Sequence, residues 1–92
     1  MKRIKISVCF EDSYGNKSND NFSLDFEDDF TDSAAMTYAN DLVSEWFYSV
    51  ADDYCMIIWK ELGGGNDTEY DFFFDDYINN CSLDWNYKKE KI

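Results

Sequence analysis

Histidine is absent from this 92-residue chain, and eight basic residues stand against twenty acidic ones, for a net charge of −12 at pH 7. Without histidine the chain lacks the one side chain that titrates near neutrality when unperturbed. No Ser-His-Asp or Cys-His arrangement can be assembled, and no lysine-based nucleophile stands out. Proline is also absent, which suits a compact chain and excludes nothing. Apolar runs such as Met56-Ile57-Ile58-Trp59 fall far short of the roughly 20 residues of a membrane span. The opening MKRIKISVCFEDSYG has neither an apolar stretch of signal-peptide length nor a small-residue cleavage site. These absences point to a cytoplasmic protein that is neither an enzyme nor membrane-bound. Cysteine is scarce: Cys9, Cys55 and Cys81 are odd in number and show no CxxC spacing. They read as buried thiols in a reducing compartment, and without histidine or paired cysteines zinc is not expected.

What the chain does have is aromatic bulk. Eight Phe, seven Tyr and three Trp make up 20% of it, and each buried aromatic removes about 150–250 Å² from water. That supply of core offsets the self-repulsion of so many like charges, and residues 1–92 read as one folded domain.

Ile4, Ile6, Val8 and Phe10 alternate with Lys5, Ser7 and Cys9, the period of a half-buried strand. Residues 12–21 are turn-formers almost throughout. Phe22, Leu24 and Phe26 alternate again, so a hairpin is expected. Thr31, Asp32 or Ser33 is placed to cap a helix, whose stripe is Ala35, Ala39, Leu42, Val43, Trp46, Phe47 and Val50 over about five turns. The segment 54–62, YCMIIWKEL, is β-branched and aromatic at its centre and reads as a central strand. Gly63-Gly64-Gly65-Asn66 reads as a turn, since it lacks the lysine and Ser/Thr of a phosphate-cradling loop. Asp67 or Thr68 then caps a second helix with Tyr70, Phe73, Phe74, Tyr77 and Cys81 on one face. Leu83, Trp85 and Tyr87 alternate as a short last strand, and residues 88–92 read as a frayed tail. The expected architecture is α+β: a two-layer domain in the order β-β-α-β-α-β, its antiparallel or mixed sheet carrying two helices on one face.

Paired acids recur at Asp28-Asp29, Asp52-Asp53 and Asp75-Asp76, too commonly to single out a glycosidase-like pair. Segments 11–21 and 66–76 are rich in oxygen ligands but do not match a calcium-binding loop. No cofactor or metal is expected. The acids do show a helical regularity. Asp41, Glu45, Tyr48 and Asp52 fall at i, i+4, i+7 and i+11, opposite the apolar stripe. Asp71 and Asp75 are four apart on the second helix, beside Asp76. Four helical residues advance about 6 Å, comparable with the spacing of phosphates along a nucleic-acid strand. No basic residue lies between Lys17 and Lys60. Such a face suits a basic, nucleic-acid-binding protein as partner and repels nucleic acid itself. Tyr14, Tyr38, Tyr48 and Phe72 are placed to add the aromatic contacts that charge alone does not supply.

In size, charge, aromatic content and acid-lined helices such as ANDLVSEWFYSVADDY, the chain resembles the small acidic phage-encoded anti-defence proteins, of which nucleic-acid-mimicking anti-CRISPR proteins are the best known. The resemblance is one of character, without a shared motif. It implies a stoichiometric inhibitor, monomeric or homodimeric, acting in the bacterial host cytoplasm on the nucleic-acid site of a CRISPR effector or other nuclease. The partner-binding residues would be Asp41, Glu45, Tyr48, Asp52, Asp71, Asp75 and Asp76. An immunity protein or antitoxin neutralising a basic nuclease toxin would use the same physics.

Overall fold

A computed structural model describes residues 1–91. Two ten-residue strands, β1 (Lys2–Glu11) and β2 (Lys17–Phe26), lead into two helices, α1 (Asp32–Glu61) and α2 (Asp67–Asn79), and the chain returns as β3 (Ser82–Lys91). The fold is α+β, in the order β-β-α-α-β. The sheet is antiparallel, with strand order β2-β1-β3.

β1 is central because it is the only strand apolar enough to be covered along its whole length. Ile4, Ile6, Val8 and Phe10 are buried under the helices. Both neighbours pair with it over all ten positions, from Lys2 opposite Phe26 and Lys91 to Glu11 opposite Lys17 and Ser82. That unbroken ladder corrects two sequence expectations. Strand β2 begins at Lys17, inside the expected turn, and residues 88–91 are strand rather than frayed tail. Polar residues there are held by backbone pairing to β1, not by burial of their own. The expected tail also included Ile92, which lies outside the described residues. The hairpin turn is confined to residues 12–16, where Gly15 takes a positive φ of 91°, a conformation that costs glycine little.

The largest correction concerns residues 54–62, which form no strand: 54–61 continue α1 and Leu62 is its C-cap. Ala51, Cys55 and Ile58 are buried and, through half-buried Phe47, prolong the row of Ala35, Ala39 and Val43 at three- and four-residue intervals. No glycine or proline interrupts the helix before Gly63. Cys55, Ile58 and Trp59 pack with Tyr70, Phe73 and Tyr77 of α2, and that tertiary contact overrides the β propensity of the run. α1 begins where Thr31 Oγ1 accepts the Ala34 N–H at 3.1 Å. It ends in a Schellman turn: Gly63 (φ 75°) donates to Lys60 O and Gly64 to Trp59 O. Asn66, rather than Asp67 or Thr68, caps α2 by accepting the Glu69 N–H at 2.9 Å.

Thirty helical residues span about 45 Å, whereas ten strand residues span about 33 Å. The C-terminal part of α1 therefore runs past the sheet, and α2 folds back along it. Two apolar clusters result. Ile4, Ile6, Val8, Ala35, Ala39 and Val43 fill the first, and Phe10, Ala51, Cys55, Ile58 and Tyr77 fill the second. Trp46 packs against both. The molecule is long and thin, 51 × 24 × 15 Å. Its radius of gyration of 16.4 Å exceeds the roughly 12 Å expected for a chain of this length.

Candidate partner-binding surface

The two layers differ sharply in charge. α1 carries six acids (Asp32, Asp41, Glu45, Asp52, Asp53 and Glu61) against Lys60 alone, and α2 carries five (Asp67, Glu69, Asp71, Asp75 and Asp76) and no base. The other seven bases lie on the strands. On the open face of the sheet Arg3, Lys5, Lys17 and Lys88 are matched by Glu11, Asp25, Asp84 and Glu90. Arg3 Nε meets Asp25 Oδ1 at 2.8 Å, Lys5 meets Glu90 at 3.3 Å, and Lys17 meets Glu11 at 3.7 Å. Hydrogen bonding to Arg3 holds the Asp25 carboxyl below its ordinary pKa. The excess negative charge is therefore concentrated on the helices.

All seven residues singled out from the sequence are exposed. Asp41, Glu45, Tyr48 and Asp52 share the outer side of α1, away from the buried row at Ala35, Ala39 and Val43. Asp41 and Glu45, with Tyr38 and Leu42, line a shallow depression of about 190 Å³. On α2 the outer side carries Glu69, Phe72, Asp75 and Asp76, opposite the face that buries Tyr77. The structure thus forms two acidic ridges rather than one continuous site. They approach each other at Asp52, whose Oδ1 accepts the Tyr70 phenol. This gives Asp52 a role in joining α1 to α2 that its spacing did not suggest. Burial, reinforced by that hydrogen bond, pushes the Tyr70 phenol far above its ordinary pKa.

Exposed aromatic side chains accompany the acids. Tyr38 and Tyr48 stand out along α1, and Phe72, the most exposed at 73%, lies among the α2 acids. Glu69, Asp75 and Asp76 are three or four residues from it, hence helical neighbours. Ile57, Leu62 and Tyr14 are also exposed. Tyr14 sits apart on the hairpin turn and stacks on Tyr77 with ring centroids 6.2 Å apart.

Asp12, which falls among the turn-formers and oxygen ligands of segment 11–21, is buried. Asp12 Oδ1 accepts the N–H groups of Tyr14 (2.9 Å) and Asn16 (2.8 Å), while Oδ2 accepts the Asn16 amide (2.8 Å) and the Tyr77 phenol (2.6 Å). Burial works against its charge. The four hydrogen bonds outweigh that penalty and hold the carboxyl below its ordinary pKa. Its satisfied surroundings make it a structural anchor rather than a reactive group.

The cysteines also divide, with Cys55 buried, Cys81 half-buried and Cys9 exposed on the open sheet face. The expectation of buried thiols therefore fails for Cys9. Burial pushes the Cys81 thiol up to about 11. Among the described residues no three Cys, Asp or Glu side chains converge as a metal site would require, and no helix is long and apolar enough to cross a membrane. No protein-family model, curated protein or solved structure matches the chain.

Proposed function

We propose that this chain is a stoichiometric protein inhibitor that presents its acidic helices to the nucleic-acid groove of a bacterial defence nuclease complex, such as a CRISPR effector, in the host cytoplasm. The observation that carries this reading is the separation of charge. Eleven acids and a single base lie on the helices, while the sheet beneath is nearly balanced.

A groove built to bind nucleic acid holds Lys and Arg whose counterions are released when phosphates arrive. Carboxylates on two rigid helices offer those cations an alternative set of partners, and the field of the helical layer steers encounter. Charge alone gives a fast, salt-sensitive and poorly selective complex. Phe72, with Tyr38 and Tyr48, supplies apolar contact of the kind that concentrates binding energy at interfaces. The inhibitor needs no reactive group, in keeping with a chain that has no histidine.

The test is a cleavage assay with a purified CRISPR effector, titrating in the protein. Cleavage should fall to a floor at a fixed molar ratio, recover with excess nucleic acid, and recover again as salt is raised. Cleavage unaffected at saturating protein for a panel of effectors would remove this reading.

A further inference from the structure

We propose that the outer edge of β3 is a self-recognition surface on which a second copy of this chain pairs antiparallel about Asn86, giving a six-stranded sheet. This inference does not depend on the inhibitor reading. β3 hydrogen-bonds to β1 along one edge and is the last strand of the sheet on the other. Ten residues is a long edge to leave as an open row of backbone donors and acceptors.

The sequence of β3, SLDWNYKKEK, read in reverse about its fifth residue, brings its central pairs into complementary positions, with Leu83 opposite the partner's Lys89 as the one mismatched pair. With Asn86 opposite the partner's Asn86, Asp84 faces the partner's Lys88 and Ser82 faces the partner's Glu90, all on the open side of the sheet. On the helix side Trp85 faces the partner's Tyr87, and the two-fold axis repeats every pair. Aromatic and opposite-charge cross-strand pairs of this kind are the units of sheet stability.

Three features of the structure fit that register. Met36, Trp85, Asn86 and Tyr87 line an open groove of about 280 Å³, placed where the axis would pass. α1 lies chiefly over β1 and β2, which leaves Tyr87 43% exposed and gives the partner's aromatic side chains a place to pack. The charges also agree. β3 holds Lys88, Lys89 and Lys91 against Asp84 and Glu90, whereas the other edge, β2, holds Lys17 against Asp20 and Asp25. Two chains of charge −12 therefore meet with least repulsion along β3. The thin, elongated single chain becomes a broader sheet with both helical layers on one side.

Sedimentation equilibrium on the full chain, from about 1 to about 100 µM, is the experiment. The expected result is a species of twice the 10.9 kDa chain mass. Lys88→Glu should weaken association at least about tenfold by setting like charges against each other twice. It should leave the single chain folded by circular dichroism, because position 88 lies opposite Lys5. Asp84→Lys combined with Lys88→Glu restores the opposite charges and should restore the dimer. As a check of register, Asn86→Cys in a Cys9→Ser background should cross-link two chains on oxidation, and Asn21→Cys on the β2 edge should not. A wild-type chain that stays monomeric throughout the range, open-ended oligomers from β2 pairing with β3, or a Lys88→Glu variant that associates as before would each overturn the proposal.

Discussion

The phenol of Tyr77 donates to Asp12 Oδ2 at 2.6 Å, joining the first hairpin turn to α2 across 65 residues of sequence. Both groups are buried, and the bond closes the end of the domain where α1 overruns the sheet. Tyr77→Phe removes the phenolic donor, and an uncompensated loss of a hydrogen bond to a charged group costs about 1.5–3 kcal/mol. Asp12→Ala should cost at least as much, because it strands the donors of Tyr14, Asn16 and Tyr77 together. Urea unfolding followed by far-UV circular dichroism measures both, and an unchanged midpoint would show that this link contributes nothing.

The same carboxylate makes stability depend on acid. The pKa of Asp12 is lower in the folded chain than in the unfolded one, so its contribution is complete above about pH 4 and is lost as pH falls through the folded value. Asp25 adds to this in the same direction. Melting temperature should therefore fall below about pH 4, and fall less steeply in Asp12→Asn, which starts from a lower value.

Tyrosine ionisation gives a second titration of opposite sense. Tyr70 and Tyr77 are held neutral by burial and by donation to Asp52 and Asp12. Folded-state pKa values raised in this way stabilise the fold below the unfolded value of about 10, and the contribution is lost as pH rises further. Ultraviolet absorbance should show these two phenols ionising above the ordinary tyrosine range, and Tyr70→Phe should remove one of the delayed phenols from the count.

Trp46 packs against both apolar clusters. Trp46→Ala should cost roughly 3 kcal/mol and lower the melting temperature accordingly. Gly63→Ala should cost about 1 kcal/mol, since its φ of 75° ends α1 in a conformation that favours glycine. Gly65→Ala should cost less, because the only close neighbour is the flexible end of Glu69.

Much of this fold is written locally. The alternation of Ile4 to Phe10 marks the central strand, and the Ala35 to Val50 stripe marks the first helix. The Tyr70, Phe73, Phe74 and Tyr77 face marks the second. What escaped the sequence depends on partners distant along the chain. Residues 54–62 look like a strand until α2 is present to receive them, although Ala51, Cys55 and Ile58 continue the helical row and carry the signal. Residues 17–21 and 88–91 have no apolar pattern of their own and are strand because β1 offers a matching ladder. The candidate surface was legible as spacing along each helix. That the acids form two ridges approaching at Asp52, and that Asp12 is buried rather than displayed, follow from packing that spacing does not encode.

Whether the acidic helices take the place of nucleic acid, as proposed, is decided by a displacement measurement. Labelled nucleic acid is bound to the purified effector, the protein is titrated in, and the release of label is followed by fluorescence anisotropy at low and high salt. Full displacement is expected at low salt, weaker displacement as salt rises, and its loss when Asp41, Glu45, Asp71, Asp75 and Asp76 are all changed to lysine in a chain that still folds. A ternary complex holding protein and nucleic acid together, or displacement unaltered by those five reversals, would contradict it.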